Sequence, residues 1–240
     1  MSTLFISDLH LDCKRPEATK YFTNYLKDLS ADIESIYILG DFVEYWVGDD
    51  DPAEGLSDLF EQIRIKSKMH KIYFMHGNRD FMISKNFCES LGMTLLPDPS
   101  TISLYGKKIL IMHGDTLCID DHAYQDFRKL VRSKPWQNEI LKKSLKERIK
   151  LAEELRKKSL KETGSKKEII MDVNEQEVIK TFLKYNVSII IHGHTHRPNI
   201  HTSNLNGNEH KRIVLGDWYN SSFILNYQKN KILIEKTHFS

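Results

Sequence analysis

Seven side chains in this chain have the types and spacing to hold metal ions: Asp8, His10, Asp41, Asn78, His113, His194 and His196. They arise at five places, and each place follows a short apolar run. Leu4-Phe-Ile-Ser precedes Asp8-Leu-His10, and Ile36-Tyr-Ile-Leu precedes Gly40-Asp41. Ile72-Tyr-Phe-Met precedes His76-Gly-Asn78, Ile109-Leu-Ile-Met precedes His113-Gly, and Ile189-Ile-Ile precedes His192-Gly-His194-Thr-His196. Two carboxylates, one amide and four imidazoles suit Mn, Fe, Co or Zn rather than Ca. No motif contains a thiolate, which argues against a structural zinc ribbon. Such a set can hold two divalent ions ~3.5–4 Å apart, the arrangement that clamps both oxygens of a phosphoryl displacement. Asp41 has two oxygens and a central place, so it is read as the bridge between the ions. His194 and His196 alternate along an extended segment, so both can serve only if the backbone bends between them or each faces a different ion.

The elements that must position these groups are strands. Short apolar runs with β-branched members read as buried strands, and four of the five turns that follow carry a glycine. If the five lie parallel, their ends meet in one crevice, where open α/β sheets bind ligands. Helical spacing at Ala18, Phe22, Tyr25, Leu26 and Leu29, and from about 55 to 66, gives a β-α-β-α-β start. Residues 101–104 and 108–112 read as a hairpin around Tyr105-Gly106. Short strands at 212–215, 223–227 and 232–236 are expected to build a second sheet, with Asn206-Gly207 as a turn. The architecture expected is α/β, with two packed mixed sheets flanked by helices.

Segment 121–167 breaks that rhythm. Residues 121–132 read as helical, Pro135 suits the first turn of another helix, and Leu141, Leu145, Ile149, Ala152 and Leu155 mark a narrow apolar stripe. Residues 128–167 hold 15 Lys+Arg against 5 Asp+Glu, while the other residues hold 20 against 28. Net charge of +2 therefore conceals a basic helical insert, which points to an anionic partner. The division expected is a core of 1–120 and 168–240 and an insert of 121–167. Three unpaired cysteines and the absence of a signal-peptide pattern lead to an expected cytoplasmic location. Apolar runs of four or five residues fall far below the ~18 a spanning helix needs.

Weaker features take plainer readings. His76 and His192, on the strand side of their glycines, read as structural. Asp49-Asp50-Asp51 reads as a solvated loop and Cys118 as a small buried residue. Core packing is the default for Trp46, Trp136 and Trp218, with an apolar ligand chamber as the alternative.

In this order, Asp8-x-His10, Gly40-Asp41, Gly77-Asn78, His113 and Gly193-His194-x-His196 resemble the calcineurin-like metallophosphoesterase superfamily. Longer strings are similar to the UDP-2,3-diacylglucosamine pyrophosphatases of lipid A biosynthesis: 46–52 (WVGDDDP), 76–81 (HGNRDF), 111–118 (IMHGDTLC), 191–198 (IHGHTHRP) and 170–174 (IMDVN). The pattern Asp120-Asp121, Tyr124-Gln125, Phe127-Arg128 matches as well. The resemblance implies a manganese-dependent hydrolase, peripheral on the cytoplasmic face of the inner membrane. It would cleave UDP-2,3-diacylglucosamine to UMP and 2,3-diacylglucosamine 1-phosphate through attack on the α-phosphorus. It implies one ion held by Asp8, His10, Asp41 and His196, and a second by Asp41, Asn78, His113 and His194. It implies substrate contacts at Asn78, Arg79, Asp121, Ser159, Thr163, Lys166 and His194, and a catalytic group of Asp41, Asn78, Arg79 and His113. Many superfamily members carry His where Arg79 stands. A phosphate monoester, with a second pKa of ~6, leaves without a proton donor, and a guanidinium can fork onto phosphate instead. Rival readings are a phosphodiesterase or nuclease, with the insert on nucleic acid, and a non-catalytic scaffold. The insert's apolar face and the single aromatic of residues 128–167, Trp136, disfavour nucleic acid.

Overall fold

The structure, a computed structural model, describes residues 1–165, 172–229 and 231–239, with side chains of 160–165 excepted. Eleven strands form two sheets among the described residues. The first sheet holds β1 (Ser2–Ile6), β2 (Ile33–Leu39), β3 (Lys71–Met75), β4 (Met93–Leu96), β10 (Ser221–Gln228) and β11 (Lys231–His238), in the order β11-β10-β1-β2-β3-β4. The second holds β5 (Ser100–Leu104), β6 (Lys107–Ile111), β7 (Ile189–His192), β8 (Asn199–Leu205) and β9 (Asn208–Val214), in the order β5-β6-β7-β9-β8.

The apolar runs are continuous because both faces of each central strand are covered, as parallel strands require. On β1, Phe5 points between the sheets, with Tyr37, Ile109, Ile191 and Leu225, while Leu4 and Ile6 point to the helices. Those helices are α1 (Pro16–Lys27), α2 (Ser57–Lys66) and α3 (Lys85–Ser90). Ala18, Phe22 and Leu26 of α1 bury the face that their spacing marks. On the outer face of the second sheet, α7 (Glu175–Tyr185) packs Val178 and Phe182 against Leu110 and Ile190. Asn174 caps α7 by accepting from the Glu177 amide.

Two expectations are corrected here. The five ligand-bearing strands do not share a sheet: β1, β2 and β3 lie in one, β6 and β7 in the other. The tail does not build the second sheet by itself. β8 and β9 extend β7, whereas β10 returns to pair antiparallel with β1, from Ser2↔Gln228 to Phe5↔Leu225. β4 and β8 carry no clear alternation and escape a pattern reading. β8 is exposed nearly throughout, and its pairing follows from the Asn206-Gly207 turn, where both residues have the positive φ that a tight hairpin needs.

Residues 121–165 fold as three helices, α4 (His122–Val131), α5 (Lys134–Leu141) and α6 (Leu145–Ser165). Asp121 and Ser133 cap α4 and α5, accepting from the amides of Tyr124 and Trp136, and Pro135 lies in the first turn of α5.

Candidate active site

The loops after β1, β2, β3, β6 and β7 bring all seven expected donors to one place. Five of the seven have left-handed backbone: Asp8 (φ 55°), His10 (48°), Asp41 (52°), His194 (68°) and His196 (55°). That conformation costs a non-glycine residue of order 1–3 kcal/mol and persists only where surrounding structure over-determines it. Here it makes the bend that lets His194 and His196 both enter the site. Thr195 N–H donates back to Gly193 at 2.9 Å.

Close loop packing over-determines the geometry. Gly40 (φ 87°) has no room for a Cβ, which would stand 2.5 Å from Gly77 Cα and 2.6 Å from His113 Nδ1. A Cβ on Gly193 would stand 2.2 Å from both Asp8 Oδ2 and Ser7 Oγ. Asp80, which sequence reading left without a role, clamps two loops. Its oxygens accept from Gly77 N–H (2.7 Å) and Phe42 N–H (2.6 Å).

The donor atoms converge in two overlapping sets, Asp8/His10/His196 and Asp8/Asp41/His113, each with its atoms within 4.8 Å of one another. Asp41 faces both sides: Oδ2 lies 3.7 Å from His10 Nε2 and Oδ1 lies 3.8 Å from His113 Nε2. Asn78 Oδ1 is 3.0 Å from His113 Nε2 and 2.9 Å from His194 Nδ1. His10 Nε2 and His196 Nε2 stand 3.4 Å apart. Asp8 Oδ2 accepts from Ser7 Oγ and His194 N–H. Its Oδ1, fully buried and 3.3 Å from His196 Nε2, has no aligned donor. A buried carboxylate oxygen without a donor, ringed by imidazole nitrogens, is a costly arrangement that a cation satisfies. The donor set therefore fits divalent ions.

Electrostatics follow from that crowding. Burial works against the His113 proton, but Asp41, Asp115 and Asp8 outweigh it and push this ring up to about 9. His113 Nδ1 donates to the Leu39 carbonyl (2.9 Å), which leaves Nε2 as the atom turned to the site. Burial, then His113, pushes His194 down to about 4. Burial opposes ionisation of Asp8, yet the hydrogen bond and charge of His196 hold its carboxyl well below the usual range.

The two other histidines fit structural roles. His76 is 2.7 Å from the Ile83 carbonyl and His192 is 2.9 Å from that of Gly193, and burial lowers them to about 4 and about 3. Cys118 is buried and its thiol is pushed up to about 12 by that burial. Trp218 and Trp46 are core, as expected, with Trp46 also lining the cleft, whereas Trp136 lines the cleft alone.

That cleft, about 910 Å³, opens beside the donors. Asn78, Arg79, His194 and Asp121 line it near the polar end, and Ser159 lines it from α6. The Thr163 side chain and Lys166 lie outside the described residues. Arg79 N–H donates to Asp41 Oδ1 (2.9 Å), and its buried Nε has no acceptor. Trp46, Phe81, Phe127, Trp136 and Ile140 make an apolar wall that α6 completes with Leu151, Ala152 and Leu155. Only Ala152 and Leu155 belong to the stripe expected from sequence. Leu141 is 48% exposed, and Leu145 and Ile149 are half-buried away from the cleft lining.

Several residues that secure the insert give no sequence signal. Asp115, buried, accepts from Tyr124 Oη and Arg128 Nε, both at 2.7 Å, and Arg132 donates to the Gly77 carbonyl at 2.8 Å. These contacts fix α4 to the site loops, with the Tyr124 ring 5.7 Å from that of His194. Arg148, 3% exposed, donates to the Val47 carbonyl (2.6 Å) and grips Asp50 through both terminal nitrogens. The acidic loop is therefore more than a solvated turn: it anchors α6. One buried arginine within a run of cations is invisible to a reading of composition.

A seven-donor site at the strand ends of two packed sheets defines a class. Residues 1–198 match the calcineurin-like phosphoesterase family, and the chain belongs to that family. A UDP-2,3-diacylglucosamine hydrolase of Marinobacter nauticus is 44% identical over 96% of this chain and 95% of its own. Another protein of that name, from Pasteurella multocida, is 46% identical over 93% and 92%. Among solved structures, an archaeal phosphodiesterase covers 99% of both chains with a TM-score of 0.50 and 12% identity, a likeness of fold alone.

Proposed function

We propose that this chain hydrolyses UDP-2,3-diacylglucosamine to UMP and 2,3-diacylglucosamine 1-phosphate, a step of lipid A biosynthesis. One observation carries the reading beyond the relatives' names: a cleft that joins a His/Asp/Asn donor cluster and an arginine to a long apolar wall. A simple monoester or nucleic acid has no use for that wall, whereas a diacylated sugar nucleotide has both chemistries.

In this reading Asp8, His10, Asp41 and His196 hold one ion and Asp41, Asn78, His113 and His194 the other, with Mn²⁺ the working metal. Divalent ions bound there would activate water for attack at the α-phosphorus and offset phosphate charge. Arg79 has an unpaired Nε in the cleft, placed to fork onto phosphate oxygens and counter charge that grows in the transition state. The leaving lipid phosphate needs no proton donor, consistent with arginine at this position. In the same reading Asn78, Asp121, Ser159, Thr163, Lys166 and His194 contact the substrate with Arg79. Segment 121–167 acts as a separate basic unit that clamps the acyl chains and docks on anionic lipid at the cytoplasmic face of the inner membrane.

The test is release of UMP from UDP-2,3-diacylglucosamine by chelator-treated protein, with Mn²⁺ restored or withheld. UMP should appear only with metal. A protein that leaves this substrate intact while hydrolysing DNA or a cyclic nucleotide would replace the reading with a phosphodiesterase.

A further inference from the structure

Glu44, three residues past Asp41, is absent from both the expected ligand set and the expected substrate contacts, yet three basic side chains meet on it. Its Oε2 lies 3.2 Å from His10 Nδ1 and 3.9 Å from Arg15 Nη2, and its Oε1 lies 2.7 Å from Arg156 Nε. His10 Nδ1 and Glu44 Oε2 are both buried, and neither makes a hydrogen bond. The His10 ring is stacked on Tyr219, with centroids 5.2 Å apart and planes at 14°. The Tyr219 ring also carries the Arg15 guanidinium at 4.5 Å, and its hydroxyl is 3.4 Å from Arg156 Nη2. Arg15 further donates to the His10 carbonyl.

The consequence for His10 is orientational. With one face on Tyr219 and Nδ1 toward a carboxylate, the ring must turn Nε2 toward Asp41 and His196. A carboxylate beside one ring nitrogen keeps the proton there and leaves the other lone pair for an ion, which also raises ligand basicity. The consequence for the insert is that Arg156 lies on α6, well beyond the Arg148 anchor. Glu44 is thus the point at which the far half of α6 touches a metal-ligating side chain.

We infer that Glu44 is a positioning residue that couples ion binding at His10 to the seating of α6 over the cleft. An ion on Nε2 requires the proton on Nδ1, where it holds Glu44 Oε2 and so presents Oε1 to Arg156. Because linkage is reciprocal, a seated α6 also favours the ion. The inference rests on the two-ion reading of the site, and its test separates the two.

Full-length protein is stripped with chelator, and Mn²⁺ binding is measured by titration calorimetry. Amide hydrogen exchange across residues 145–158 is followed with and without Mn²⁺. The wild type should bind two ions, and metal should slow exchange across 145–158 several-fold. Glu44→Gln should weaken one ion by about 10–100-fold, the usual effect of losing such an outer partner, spare the other, and abolish the slowing. Arg156→Gln should keep two ions and still lose the slowing. Glu44→Asp, too short to reach both partners, is the second variant should the glutamine form fail to fold, and it should behave in the same direction. A wild type that binds two ions without any change in 145–158 overturns the coupling. Unchanged ion affinity in both Glu44 variants overturns the positioning role. A wild type that binds no Mn²⁺ overturns the metal reading itself and the coupling with it.

Discussion

At the residue scale, the site concentrates charge that the fold alone would not tolerate. Asp8, Asp41, His10 and His113 are each at most 2% exposed, and their donor atoms crowd one another without enough protons to go round. Asp41 turns Oδ2 toward His10 and Oδ1 toward His113, one oxygen to each half of the cluster. Asp41→Ala should therefore abolish activity at any Mn²⁺ concentration, while His10→Ala should recover in part when metal is raised. Titrating both variants with Mn²⁺ checks this, and more activity in Asp41→Ala than in His10→Ala at saturation refutes the bridge. His113 gives a pH signature. Its folded-state value is raised from 6.5 to about 9 in the metal-free protein. A raised value means that its contribution to stability is fully present below 6.5 and is lost as pH rises through about 9. Chelator-treated protein should thus melt lower at pH 9.5 than at pH 6.5, while Mn²⁺ affinity rises over the same span because the Nε2 proton has to leave. A melting temperature that does not fall across this span in metal-free protein contradicts the assignment.

Loops at strand ends do most of the positioning, and their geometry is set by contact between loops rather than by the strands. Gly40 and Gly106 separate two reasons for glycine. Both have positive φ, +87° and +80°, but an added Cβ meets backbone 2.5 Å away at Gly40 and nothing within 4 Å at Gly106. Left-handed strain alone costs about 1–3 kcal/mol. Gly106→Ala should show that cost, and Gly40→Ala should lose more stability and also activity, since Asp41 and Asn78 must shift. Equal melting temperatures for the two variants would mean that the close approach at Gly40 is not what excludes a side chain. The helices divide in the same way. α4 is fixed by Asp115, Arg128 and Arg132, whereas α6 is held to the core by Arg148 and Arg156, each on a single acidic partner.

Over the whole molecule, charge is partitioned as the composition implies. Residues 128–167 carry ten more cations than anions, and the remainder carries eight more anions than cations. No helix of the described residues is long and apolar enough to cross a membrane. Leu151, Ala152 and Leu155 of α6 line the cleft, so the proposed docking on lipid would fall to the exposed lysines. Each Lys or Arg near an anionic surface adds about 1 kcal/mol. The Debye length shrinks from ~10 Å at 0.1 M salt to ~3 Å at 1 M. Binding to phosphatidylglycerol vesicles should fall steeply with NaCl, and reversing Lys142, Lys143 and Lys146, all exposed, should weaken it at low salt. Co-sedimentation that is indifferent to salt would rule out electrostatic docking.

All seven candidate donors were legible in the chain because each is a local event: an apolar run, a turn and a polar side chain within eight residues. Helix α1, the 105–106 hairpin and the Pro135 start were legible for the same reason, since periodicity and turn chemistry act over a few residues. The partition of strands between two sheets was not, because sheet membership depends on which distant strand offers an open edge. The tail resolves that choice by sending β10 back to β1 and leaving β9 on β7. Nor could any pattern distinguish Arg148 and Arg156 from their neighbouring cations, or Glu44 and Asp80 from surface acids. Their roles come from partners that lie 98, 112, 34 and 38 residues away, at Asp50, Glu44, His10 and Phe42. Local chemistry writes the candidate donors into the sequence, and only folding decides which charges are taken out of water together.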